Sequence, residues 1–485
     1  MSVSVDDFRA LRDAIGAMPA DVSSDAHGIQ APSLDELYAP QTHAAALDPA
    51  ASIVQGARGA GKSFWAGALG DVNVRKAAAI AYPRLGLERL DVRFGFTGLG
   101  GPDGVDKDKL DACVRPEAQV SEARDFWWAT ILRATELAAN RSPKSLVELT
   151  KVAKDLEQRE RMISVCDSAL GDRQSTLLVI YDALDTVASS WSRRQILTQG
   201  LLEVVWSMRA WRNVRPKLFL RPDQLEDEGL RFVELPKQRT GAVQLTWNGS
   251  DLYGLLFARL ALGPAAEPFG RLLASRELSS ATREEILAHT WRLTYDESSQ
   301  RRLMGALAGD FMADGPFGHK KGRTYDWPLA HLSDAFDEVT PRSFLGLVIG
   351  AAKHGAAPSN RVINPEGIKH GLRQASKTRV DQLDQEFPWI KGMLAPLAGQ
   401  LLPKQEAEIF EVWKRADTVK QAVLDAKEYG YLPPFPEPSR AGERDCYVAM
   451  ERIGVMFRRK DGRLDMPDLF RVAAKLLKKG GTAPS

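Results

Sequence analysis

The eight residues Gly56-Ala57-Arg58-Gly59-Ala60-Gly61-Lys62-Ser63 constrain this chain more than any other stretch. They follow Ser52-Ile53-Val54-Gln55, which reads as a short strand, and precede Phe64-Trp65-Ala66-Gly67-Ala68-Leu69, which reads as a helix. A turn of the form G-x-x-x-x-G-K-S in that setting is suited to wrapping phosphate. Its glycines let the backbone bend with the N–H groups facing inward, at the positive end of a helix. Lys62 would neutralise phosphate charge, and the Ser63 hydroxyl is placed to complete a Mg²⁺ octahedron. Gly56, Ala57, Arg58, Gly59, Ala60, Gly61, Lys62, Ser63 and Phe64 are therefore the expected nucleotide-contacting residues. A chance glycine turn would not explain a complete motif with both flanks in the right period.

Far downstream, Leu177-Leu178-Val179-Ile180-Tyr181-Asp182 has the apolar run of a fully buried parallel strand, with an acid at the carboxyl end where α/β sheets place ligands. Asp182 is the expected second Mg²⁺ ligand, usually acting through water. Asp185 can reach the same edge to orient or deprotonate an attacking water. Pro216 to Arg221 reads as the next strand. Arg221 at its end either senses the γ-phosphate or forms a salt bridge with Asp223 or another nearby acid. Arg342, in the first turn of a helix opened by Pro341, is a cation at the unfavourable end of a helix, so it either meets an anion or simply faces water.

The length of 485 residues implies two to four domains. A net charge of +2 gives no whole-molecule case for nucleic acid or anionic membrane, but the charge is uneven. Residues 1–50 carry eight acids against Arg9 and Arg12, whereas residues 444–481 carry ten Lys and Arg against five acids. Cys113, Cys166 and Cys446 form no paired spacing, and the histidines are scattered, so neither a disulfide framework nor a zinc site is indicated. The lack of an 18-residue apolar run and of a signal pattern leads to the expectation of a cytoplasmic protein without a membrane partner.

Local periodicity predicts a helix over 4–18 behind Ser4, a loose stretch from Pro19 to Pro40, a short helix at 43–47, a strand at 90–96 and a long loop at 97–104. Helices are expected at 122–139, with Trp127 and Trp128 as core, at 144–170 and at 192–211. A fifth strand is expected at 243–247, then a helix at 251–262 capped by Ser250. Proline breaks at 361–440 suggest helical pieces on a rigid linker. Residues 444–478 read as helix, basic turn, strand and helix, weakly like a winged-helix module. Arg458, Arg459, Lys460 and Arg463 could meet DNA phosphate, or be solvated and packed against the acidic N-terminal segment.

Gly56–Ser63, Leu177–Asp185, Lys217–Arg221, Val243–Leu260 and Thr340-Pro341-Arg342-Ser343-Phe344-Leu345 together resemble the motif order of bacterial AAA-related P-loop ATPases of the STAND and KAP-like kind, over residues 40–355. The resemblance implies an α/β fold with an ASCE-type parallel sheet flanked by helices, a helical lid, and ATP with Mg²⁺ as ligands. The corresponding divisions are a lead segment (1–45), an NTPase core (46–262), a lid (263–360) and a C-terminal helical, winged-helix-like region (361–485). Arg221 then matches the first sensor and Arg342 the arginine coupling lid to γ-phosphate. The implied function is a switch ATPase that regulates a protein partner or its own assembly, in phage defence or a DNA-associated process. Two features depart from the family: Ala183 replaces the glutamate that usually follows the Mg²⁺ acid, and no effector domain is recognised, so output would come from a partner. The alternative is a nucleotide-loaded scaffold that scarcely hydrolyses and recruits DNA or protein; a small-molecule kinase is opposed by the extended C-terminal third.

Overall fold

The apolar runs around Val54, Val179 and Phe219 form the middle of a five-stranded sheet in which every neighbouring pair is parallel. Its strands are β1 (Ile53–Gln55), β2 (Leu90–Phe96), β3 (Thr176–Tyr181), β4 (Val214–Leu220) and β5 (Val243–Gln244), in the spatial order β2-β3-β4-β1-β5. Parallel pairing needs long crossovers and leaves central strands covered on both faces, which demands continuous rather than alternating apolar sequence. Leu177 to Tyr181 meet that demand, all fully buried. The computed structural model describes residues 3–19, 31–100, 104–188, 190–227, 229–435 and 437–484. Parts of the expected loose stretch and of the 97–104 loop lie outside them.

The chain divides into two compact units, Asp21–Thr246 and Met1–Ala20 with Trp247–Ser485. In the first, helices flank the sheet. The helix Val120–Ala138 buries Phe126, Trp127 and Trp128 in the core, as expected of the tryptophan pair. The Trp127 indole donates to Leu197 O at 2.8 Å, fixing this helix to Trp191–Ser207.

The second unit is mainly helical. Ser4 and Asp7 form the capping box of the helix Val5–Ala17, and Arg12 donates to the carbonyls of Val362, His354 and Gly355. The helices Pro341–Lys353 and Pro365–Glu386 pack so closely that a Cβ at Gly371 would lie 2.0 Å from Leu347 O. The helix Gly249–Leu262 also belongs here, although the sequence placed it with the sheet. It is buried continuously from Asp251 to Leu260, with Tyr253 stacked on Tyr325 and Phe257 on Phe269.

Other boundaries also differ from expectation. Asn248, not Ser250, caps that helix by accepting from Asp251 N at 2.7 Å. The helical run at 144–170 is two helices, Leu146–Lys154 and Leu156–Asp172, because Asp155 ends one and caps the next. β5 is two residues long. At the C-terminus a hairpin pairs Phe457–Arg458 with Leu464–Asp465, but the following helix covers only Asp468–Arg471, and Leu477–Lys478 pairs instead with Leu401–Leu402. Among the described residues, no helix is long and apolar enough to cross a membrane.

Candidate functional site

The carboxyl ends of β1, β3 and β4 lie side by side, because β4 pairs with both of the others. The sequence-predicted residues of this unit therefore converge. At the end of β1, Gly56 N donates to Leu220 O and the chain turns through Gly59 (φ 84°) and Gly61 (φ 102°), left-handed conformations that favour glycine. Gly61, which has no side chain to supply a cap, opens the helix Lys62–Gly70, whose first-turn N–H groups have no partner within the helix. That is an anion-accepting geometry. Lys62 Nζ donates to Gly56 O at 2.8 Å and Ala57 O at 3.1 Å, which holds the ammonium across the loop.

Asp182 arrives from β3. Its N–H donates to Phe96 O at 3.0 Å, and the strand end is pinned by Tyr181, whose hydroxyl bonds Thr130 Oγ1 at 2.7 Å and whose ring covers Gly95. A side chain at 95 would meet that ring at 2.4 Å. Burial drives the Asp182 pKa up, opposed by the nearby Ser63 hydroxyl, the Lys62 charge and the Ala183 N–H. The loop serine and the strand acid, distant in sequence, thus lie near enough to act on each other's charge. Asp182 Oδ2 is buried with no hydrogen-bond partner among the described residues.

Beyond Asp182, Ala183 sits at φ 54°, an uncommon conformation for a residue with a Cβ and a form of strain that collects at functional sites. The turn presents Asp185 to Arg221, whose Nη1 donates to Asp185 Oδ2 at 3.2 Å. Arg221 also grips Asp223 with two bonds, Nε to Oδ1 and Nη2 to Oδ2, each 3.1 Å. Of the two alternatives for Arg221, the salt bridge is present, to two acids at once. Arg194, which the sequence reading missed, belongs to the same cluster: burial lowers its pKa, as does the Arg221 charge, while Asp185 and Asp223 raise it. An arginine in the first turn of the helix after β3 was the available signal.

Two further buried groups had no particular role assigned from the sequence. Lys217, fully buried on β4, donates to the carbonyls of Ala46, Asp48 and Ala51 at 2.8, 3.0 and 2.7 Å, and burial pulls its pKa down to about 7. His43, also buried, has Nε2 3.1 Å from Thr246 O and accepts the Trp65 indole N–H at Nδ1. These contacts tie the segment before β1 to the sheet and to the helix behind the glycine loop.

Arg342 lies in the second unit, buried in the first turn of Pro341–Lys353, where Thr340 supplies the cap. In the C-terminal basic turn, Arg458 pairs with Glu406 at 2.5 Å, Arg459 with Asp465 at 3.4 Å and Arg463 with Asp461 at 2.7 Å. These neighbouring acids, rather than the acidic N-terminal segment, balance the three arginines. Asp7 of that segment pairs instead with Arg271. No family model, curated protein or solved structure matches this chain.

Proposed function

We propose that this chain is a P-loop switch ATPase that binds Mg²⁺·ATP and hydrolyses it. The observation that carries the reading is the approach of Asp182 to the glycine loop: a buried carboxylate with one unbonded oxygen ends the strand within electrostatic reach of Ser63 and Lys62, where the loop opens into a helix. These donors fit Mg²⁺, which takes few protein ligands and keeps phosphate and water oxygens in the rest of its octahedron. The strand order agrees with an ASCE-type sheet, since β4 with Arg221 stands between the loop strand and the acid strand.

The loop amides and Lys62 would bind the β- and γ-phosphates, and Ser63 and Asp182 would hold the metal. When bound, Mg²⁺ would neutralise charge developing on the phosphate oxygens. Asp185 would orient the water and accept its proton as the water oxygen bonds the γ-phosphorus. The bond to the β–γ bridging oxygen then breaks, giving ADP and phosphate, while Arg221 offsets charge on the transferring group. Arg342 keeps the γ-phosphate-reporting role implied by the resemblance. Rate would come from positioning and charge stabilisation rather than covalent chemistry. Nucleotide state would control a protein partner or self-assembly, with DNA a further candidate partner.

A poorly hydrolysing scaffold is the second reading, favoured by Ala183 at the usual glutamate position and by the Asp185–Arg221 ion pair. Equilibrium ATP binding and phosphate release, with and without Mg²⁺ and duplex DNA, separate the two. Lys62→Ala is expected to lose binding by at least about a hundredfold, the scale of removing a buried charge contact. Undiminished binding in that variant would defeat the P-loop reading, whereas tight ATP retention with negligible release would favour the scaffold.

A further inference from the structure

Arg221 does not divide its contacts evenly. Its two-point grip on Asp223 joins side chains only 9% and 20% exposed, whereas a single bond reaches Asp185, whose side chain is 41% exposed. Paired parallel bonds in a shielded place hold better than one bond to a solvated carboxylate. A new anion near the guanidinium would therefore displace Asp185 first. The bond also occupies one oxygen of the acid proposed to orient water, so this weak contact matters to the chemistry.

We propose that Arg221 latches Asp185 in the resting protein, and that Asp223 is a positioning residue whose two-point grip seats Arg221 once the γ-phosphate opens the latch. The proposal rests on the ATPase reading above. Asp223 then sets the hydrolysis rate without touching nucleotide. Arg194 supports the arrangement, since its charge lies within reach of both acids and discourages Arg221 from moving toward it. Ala183, held at φ 54°, lies in the turn that delivers Asp185 to Arg221.

The test compares the full-length protein with Asp223→Asn, Asp185→Asn and the double variant, measuring ATP affinity and phosphate release separately. Without its second seat, Arg221 should stay on Asp185. Asp223→Asn is expected to lower kcat on the order of tenfold, the scale of one charge-assisted hydrogen bond, with ATP affinity unchanged within about twofold. In the Asp185→Asn background the same change should have no further effect, because no latched acid remains. Asp223→Glu should restore most of the turnover. Should Asp223→Asn melt early, Asp223→Ser provides the equivalent variant, since a hydroxyl cannot make the two-point contact. Normal turnover in Asp223→Asn, or an equal loss in both backgrounds, would overturn the latch. If that result accompanies ATP binding that depends on Lys62, only the latch falls; if the wild-type chain binds no ATP, the ATPase reading falls and the latch with it.

Discussion

His43 shows how far a single residue's chemistry can be read from its neighbours. Thr246 O can only accept, so Nε2 carries the proton; the Trp65 indole can only donate, so Nδ1 is bare. The ring is therefore a neutral tautomer, and burial moves its pKa down to about 3 from the ordinary 6.5. Between those values the unfolded chain binds a proton that the folded state refuses. The stability contributed is complete above pH 6.5 and declines as pH falls toward 3, by up to about 1.4 kcal/mol per pH unit. Gln at this position keeps an acceptor for the indole and a donor for the carbonyl without titrating there. Urea midpoints between pH 4.5 and 6.5 should fall steeply in the wild type and much less in His43→Gln. Parallel slopes would mean that His43 is not the responsible proton site.

At the scale of elements, Lys217 joins β4 to the segment before β1 through three carbonyls, one for each N–H of an ammonium. Lys217→Met fills similar volume but strands those acceptors, at about 1–3 kcal/mol for each that water cannot reach. A net destabilisation of about 2–4 kcal/mol in chemical denaturation is expected, and a loss under about 0.5 kcal/mol would show the clamp to be unimportant. This clamp was invisible in the sequence because its partners come from a distant turn and offer only backbone oxygen. Elements whose cause is local were legible: Ser4 caps the first helix, and β2 covers Leu90–Phe96 as its alternation predicts. The glycine loop and Asp182 could be named because strand period and motif are local too. Their approach, and the Asp185–Arg221–Asp223 arrangement, depend on β4 lying between β1 and β3, which strand order and register rather than composition decide. Boundaries failed where two residues competed for one job, as with Asn248 and Ser250 as caps, or where one residue did two, as with Asp155.

At the scale of the whole molecule, the proposed ligand-binding loop and its acid lie in the unit Asp21–Thr246, whereas Arg342 and the C-terminal basic turn lie in the other. A ligand that binds only the folded state stabilises the body that holds it, by about 2.7 kcal/mol at a hundred times Kd. Hydrogen exchange read peptide by peptide can assign that gain to a unit. With Mg²⁺·ATP in such excess, globally exchanging amides of β1, β3 and β4 should slow by about a hundredfold, the rate equivalent of that energy. Lys62→Ala should abolish the slowing while leaving exchange without nucleotide close to wild type. If Arg342 reports the γ-phosphate, amides of Pro341–Lys353 should also slow with ATP but not with ADP, because only the triphosphate carries the group it is proposed to meet. Protection confined to the sheet unit and identical for the two nucleotides would remove Arg342 from the mechanism, and an unchanged sheet would refute nucleotide binding at the glycine loop.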